Sequence, residues 1–169
     1  MTPEVAFQMV SMLRDVVDRG TGAPARALGV TGPVAGKTGT TNDYHDAWFI
    51  GFSTSVVAGV WVGFDQPQPI GRSAYGASVA LPMWADFMKR SARALPATEF
   101  PVPESLEPIE LCRISHQRPV DGCDVYTEYF KGGDQIPSEK CHIHQGSLRQ
   151  QAARAIGGFF KRLGRIFGK

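Results

Sequence analysis

Lys37-Thr38-Gly39-Thr40 places an ammonium, two hydroxyls and a glycine in four consecutive positions. On a strand alternate side chains share a face, so Thr38 and Thr40 point one way and Lys37 the other. Two hydroxyls with an ammonium nearby can hold a carboxylate, and Gly39 lets an extended ligand come close to the backbone. At a sheet edge, free N–H and C=O groups can also pair with a peptide. Gly36-Lys37-Thr38 also matches the end of a phosphate-cradling loop, but that loop needs a glycine where this chain has Thr31, and Gly32 is one residue too close. Such a loop must also open a helix, whereas strand-like sequence follows here. A second group comprises Cys112, Cys123 and Cys141, separated by ten and by seventeen residues, with His142 and His144 beside the last. Zinc is conceivable there, but no C-x-x-C pair is present, and the expectation is that no metal is bound.

These groups must be positioned by the surrounding elements. Val5, Met9, Met12, Leu13, Val16 and Val17 recur at spacings of three and four, which predicts a helix over residues 3–19, with Thr2 as cap, Pro3 in the first turn and Gly20 at the exit. Residues 20–36 read as a Gly/Pro-rich surface loop. Residues 47–52 and 56–64 are β-branched and aromatic on either side of Ser53-Thr54-Ser55, which predicts a hairpin. With a strand over Lys37–Thr41 this makes a three-stranded antiparallel meander, expected to be covered on both faces, with Trp48, Phe49, Trp61 and Phe64 in the core. His45 reads as a polar loop residue. A loop over residues 65–77 leads to a second helix over residues 82–93, whose Lys89, Arg90 and Arg93 suit its C-terminal end.

Residues 1–95 form the expected compact body, and residues 96–108, with Pro96, Pro101, Pro103 and Pro108, an extended linker. Residues 109–147 read as a loop-rich, cysteine-containing extension with short strands near 109–115 and 125–130. Residues 148–169 alternate apolar and basic arcs on a helical wheel, a basic amphipathic helix. Charge follows this division. Residues 1–147 hold 12 Lys or Arg against 16 Asp or Glu, while residues 148–169 hold six basic residues and no acidic one. A mildly acidic body argues against a nucleic-acid reader, and a basic tail suits an anionic surface such as a membrane, or docking on its own body. The apolar runs are too short for a membrane-spanning helix, and the N-terminus lacks the order of a secretory signal. No cofactor motif is present.

Gly20-Thr21-Gly22, Ala35 to Asp43, Asp46 to Phe52 and Val60 to Asp65, as they stand here, closely resemble the C-terminal part of the transpeptidase domain of class A penicillin-binding proteins. The likeness runs over roughly residues 3–95. It implies an α+β architecture: part of a β-lactamase/transpeptidase-like fold, in which three strands of the antiparallel sheet pack with helices, followed by the loop-rich extension and the C-terminal helix. Such enzymes combine S-x-x-K, S-x-N and K-T-G motifs, and only the third occurs in this chain. By the resemblance, Lys37 sets the electrostatics of the site and binds substrate. Thr38 and Thr40 bind the terminal carboxylate of a D-Ala-D-Ala stem peptide or a β-lactam, beside Gly39. The backbone N–H of Thr40 is one half of an oxyanion hole.

No serine here has a lysine three positions on, and the sole asparagine, Asn42, has Thr40 two places before it. The expectation is a piece of a peptidoglycan D,D-transpeptidase that cannot acylate alone and whose missing N-terminal portion carries the nucleophile. The parent would act at the periplasmic face of the bacterial inner membrane. A non-catalytic peptide- or membrane-binding module is the alternative. The cysteine stretch also resembles, less sharply, the C-terminal extension of some class A proteins. In an oxidising periplasm it implies a disulfide, for which Cys123 with Cys141 is favoured among three pairings, worth on the order of 3 kcal/mol.

Overall fold

The computed structural model describes residues 1–144, so the expected basic helix over residues 148–169 lies outside the described residues. The chain divides after Glu104 into two compact units.

The first unit opens with α1 (Pro3–Arg19), whose start is set by the Thr2 hydroxyl accepting from the Val5 N–H, with Pro3 in the first turn. At its end the Gly20 N–H donates to the Asp15 and Val16 carbonyls. The segment expected to be loop contains a short helix, α2 (Pro24–Ala27). Arg26 explains it. Its guanidinium pairs with Asp18 of α1 at 2.6 Å and donates to the Val30 and Gly32 carbonyls, which ties the Gly/Pro-rich segment to α1.

Three strands follow: β1 (Ala35–Thr40), β2 (Asp46–Phe52) and β3 (Val57–Gly63), antiparallel in the order β1-β2-β3. Lys37 lies opposite Ile50, Thr38 opposite Phe49 and Thr40 opposite Ala47, while Phe49 faces Val60 across β3. After a loop, a π-helical turn over Gly76–Ala80 runs into α3 (Leu81–Ala94). One sheet face carries Phe49 into a core with Val17, Ala25, Val30, Val34, Leu81, Trp84 and Met88, flanked by Val56, Ala58, Val60 and Val62. Of the four aromatic residues expected in the core, only Phe49 is there. Trp48 and Trp61, paired across the sheet on the face opposite Phe49, are each 41% exposed, and Phe64, just beyond β3, is 46% exposed. The indole N–H of Trp61 satisfies itself on the Asp46 carboxylate at 2.8 Å.

The first half of the stretch expected as a linker is pinned to this unit. Thr98 exchanges hydrogen bonds with Thr54, the Ser55 hydroxyl donates to the Pro96 carbonyl, and Phe100 is buried edge-to-face on Phe52 with Arg14 above it. The second unit is a two-stranded antiparallel sheet of β4 (Leu106–Cys112) and β5 (Val125–Lys131), close to the two short strands expected. Among its described residues the buried ones are few: Leu106, Ile109, Leu111, Cys112 and Cys141.

Candidate functional site

Lys37, Thr38, Gly39 and Thr40 lie on β1, an edge strand of the three-stranded sheet, and not at a helix start. The direction of each backbone group follows from the turn beyond it. The Thr41 N–H donates to the Asp46 carbonyl at 3.0 Å, toward β2. Antiparallel alternation then points the N–H and C=O groups of Thr40 and Thr38 the other way, off the sheet edge. Asp46 N–H closes this turn on the Thr41 hydroxyl at 2.8 Å, and Asp43 and Tyr44 both take left-handed φ within it.

The side chains assemble around the same edge. Thr38 and Thr40 share the face of Phe49 and Ala47, and Lys37 lies on the opposite face beside Ile50, as the alternation of a strand requires. The Lys37 ammonium nevertheless bends back over the edge, donating to the Thr38 carbonyl at 2.8 Å and standing 3.5 Å from the Thr38 hydroxyl. Thr38 Oγ1 is 3.0 Å from Thr21 Oγ1, so the Gly20-Thr21-Gly22 turn after α1 flanks the edge. Thr40 Oγ1 accepts from the Gly76 N–H at 3.1 Å, which leaves its own O–H to donate elsewhere. An ammonium, three hydroxyls and outward main-chain N–H groups thus converge on one short stretch of open edge, a set suited to a carboxylate and a developing oxyanion.

Gly76 is needed for this closeness. A Cβ there would fall on the Trp48 carbonyl oxygen and within 2.8 Å of the Gly39 oxygen, both backbone, so no side-chain movement could accommodate it. The turn is held from outside as well: Tyr44 and Tyr75 stack edge-to-face with a hydroxyl–hydroxyl bond of 2.9 Å, and the Ile70 N–H donates to the Tyr44 carbonyl. Hydrogen bonding to Tyr75 raises the Tyr44 pKa, with desolvation adding to it. Sequence reasoning missed Thr21 and Gly76 as neighbours of the strand. Thr21 stands in the Gly-Thr-Gly motif, but nothing in the spacing reveals that a residue 17 positions earlier meets Thr38.

In the second unit the expected Cys123–Cys141 disulfide is not formed: all three cysteines are free thiols. They meet at His144, whose Nδ1 lies 3.4 Å from Cys112 Sγ, 3.4 Å from Cys123 Sγ and 3.2 Å from Cys141 Sγ. Burial opposes ionisation of Cys141, but hydrogen bonds from the Ser115 side chain and from the backbone and ring of His144 outweigh it and hold the thiol at about 5. The hydrogen bond to Cys141 in turn raises the His144 imidazole. His142 points elsewhere, its Nδ1 2.9 Å from Gln117 Oε1. Of the two histidines that the sequence places beside Cys141, the one that meets the thiols stands at C-x-x-H spacing, Cys141 to His144, the same spacing as the C-x-x-C pair the sequence lacks.

Residues 1–89 match the family model described as the penicillin binding protein transpeptidase domain. Among curated proteins, penicillin-binding protein 1A of Pseudomonas aeruginosa is 42% identical over 134 residues, covering 79% of this chain and 16% of the relative. Penicillin-binding protein 1A of Rickettsia typhi is 43% identical over 125 residues, covering 74% and 15%. A crystal structure of penicillin-binding protein 1A from Haemophilus influenzae superposes with a TM-score of 0.73 at 27% identity, over 83% of this chain and 22% of that one. The chain therefore spans about a sixth of the length of the curated relatives it matches.

Proposed function

This chain belongs to the penicillin-binding protein transpeptidase family, and from that premise we propose that β1 is the substrate-binding and oxyanion wall of a peptidoglycan D,D-transpeptidase. The substrates are stem peptides ending in D-Ala-D-Ala, and β-lactams take their place. The observation that carries the reading is the open edge of β1, where the Lys37 ammonium, the Thr38 and Thr40 hydroxyls and the outward Thr40 N–H stand together.

Each group has a distinct task. The terminal carboxylate of the peptide is held by the hydroxyls of Thr38 and Thr40, with the Lys37 charge beside it; Thr21 orients the Thr38 hydroxyl. When a serine attacks the penultimate D-Ala carbonyl, negative charge builds on that oxygen, and the Thr40 N–H stabilises it without reorganising. The C–N bond to the terminal D-Ala then breaks, leaving an acyl-enzyme ester that an amine of a second stem peptide resolves. Attack needs a serine activated by a neighbouring base. No S-x-x-K and no S-x-N occurs in these 169 residues, so that serine and its base come from another part of the family's fold. The parent works at the periplasmic face of the inner membrane; among the described residues no helix is long and apolar enough to cross a membrane.

Incubating the purified chain with a fluorescent penicillin tests the assignment of the nucleophile. No covalently labelled band is expected. A band that survives denaturation would place an acylatable nucleophile within residues 1–169 and overturn it.

A further inference from the structure

We propose that Cys112, Cys123, Cys141 and His144 form a zinc site that holds the second unit together. Their four donor atoms all lie within 4.8 Å of one another. Tetrahedral zinc, with Zn–S near 2.3 Å and Zn–N near 2.0 Å, requires donors about 3.8 Å apart for two sulfurs and about 3.5 Å for sulfur and nitrogen. Here Cys112 and Cys141 Sγ are 3.5 Å apart, and the three Sγ–Nδ1 separations are 3.2–3.4 Å. A disulfide would need about 2.05 Å and would strand one of three thiols. The metal uses all three together with the imidazole, and three thiolates with a neutral nitrogen are a donor set that zinc favours over harder cations.

The ligands come from three separate places, which is why their sequence spacing is irregular. Cys112 ends β4, opposite Val125. Cys123 follows a tight turn in which its N–H donates to the Val120 carbonyl while the Val120 N–H points at its sulfur at 3.3 Å. Cys141 is brought in by a short parallel bridge between Arg118 and Lys140, with Arg118 N–H on the Glu139 carbonyl and Cys141 N–H on the Arg118 carbonyl. Of these backbone groups, the Val120 N–H faces a ligand sulfur directly. Backbone N–H groups aimed at sulfur partly neutralise thiolate charge and fix ligand direction, the part that outer partners play around a metal.

Stability gives an independent reason. A lone two-stranded sheet is marginal in water, and a unit this small needs a staple. Among the described residues of this one, the buried side chains are few and include Cys112 and Cys141 themselves. Binding takes the three sulfurs as thiolates and the imidazole as its neutral form, releasing the protons these groups still carry, with no electron transferred, and leaves Nε2 of His144 carrying the ring hydrogen. The free energy of binding then becomes folding free energy.

The test is a metal titration of the reduced, metal-stripped full chain. One equivalent of cobalt(II) should produce thiolate-to-cobalt charge-transfer bands and the visible bands of tetrahedral coordination, and one equivalent of zinc(II) should bleach them. His144→Ala and Cys123→Ser should each weaken cobalt binding beyond the 10–100-fold that loss of an orienting partner costs, whereas His142→Ala should change it by less than about 3-fold, having no donor in the set. Should a variant misfold, the wild-type titration alone decides. Absence of thiolate–cobalt bands in a chain whose three thiols titrate as free would overturn the site. So would an intact mass showing a Cys123–Cys141 disulfide in the chain recovered, without reductant, from an oxidising compartment.

Discussion

Trp84→Ala is expected to destabilise the first unit by about 3–5 kcal/mol, a large share of the roughly 5–15 kcal/mol that holds a domain folded. The indole is fully buried, its ring 4.7 Å from that of Phe49, and its N–H donates to the Gly51 carbonyl at 3.4 Å. Gly51 makes room for it, since a Cβ there would stand 2.5 Å from Trp84 Cζ2. Truncation leaves a cavity between α3 and β2 and releases the inner side of the sheet that carries β1. Denaturant unfolding followed by circular dichroism measures the effect. Trp84→Phe should lose less than half as much, because it refills part of the volume. A cost below about 1 kcal/mol for Trp84→Ala would mean that the core does not rest on this contact.

The second large effect falls on chemistry. Once this chain is joined to a nucleophile-bearing segment of its family, Thr40→Pro should lower the limiting acylation rate by penicillin about 10²–10³-fold, as removal of one oxyanion donor does. Proline is usable here because the Thr40 N–H faces off the sheet edge, so no ladder bond is broken. Thr40→Val keeps the N–H and removes the hydroxyl. It should chiefly weaken penicillin binding and lower the limiting rate far less. Stopped-flow acylation separates the two. A limiting rate for Thr40→Pro within about 3-fold of the parent would remove Thr40 from the oxyanion hole.

The parts of the molecule legible in the sequence were those governed by neighbours a few residues apart. Thr2, Pro3 and the apolar stripe after them specify α1, and the aromatic and β-branched runs on either side of Ser53-Thr54-Ser55 specify the hairpin. Periodicity does not say which face of a sheet is covered, so Trp48 and Trp61 looked like core when only the Phe49 face is packed. Helix α2 has no periodic signature in four residues; it depends on Arg26 reaching Asp18 eight positions back. Proline content predicts an extended linker over residues 96–108, yet within its first half Phe100 meets Phe52 across 48 residues of chain. The same limit hid the site around the K-T-G strand. The motif marks the strand, while Thr21 and Gly76 reach it only through the fold. The cysteine cluster is the clearest case. Three segments must converge before four separated ligands read as one group, and C-x-x-H was its only local trace.

Determining the structure of the penicilloyl adduct of the joined polypeptide tests the role of β1 most directly. The acyl carbonyl oxygen should lie about 2.7–3.1 Å from the Thr40 nitrogen, and the ligand carboxylate should contact the hydroxyls of Thr38 and Thr40 beside Lys37. An adduct whose carbonyl oxygen and carboxylate both lie away from this strand would contradict the account.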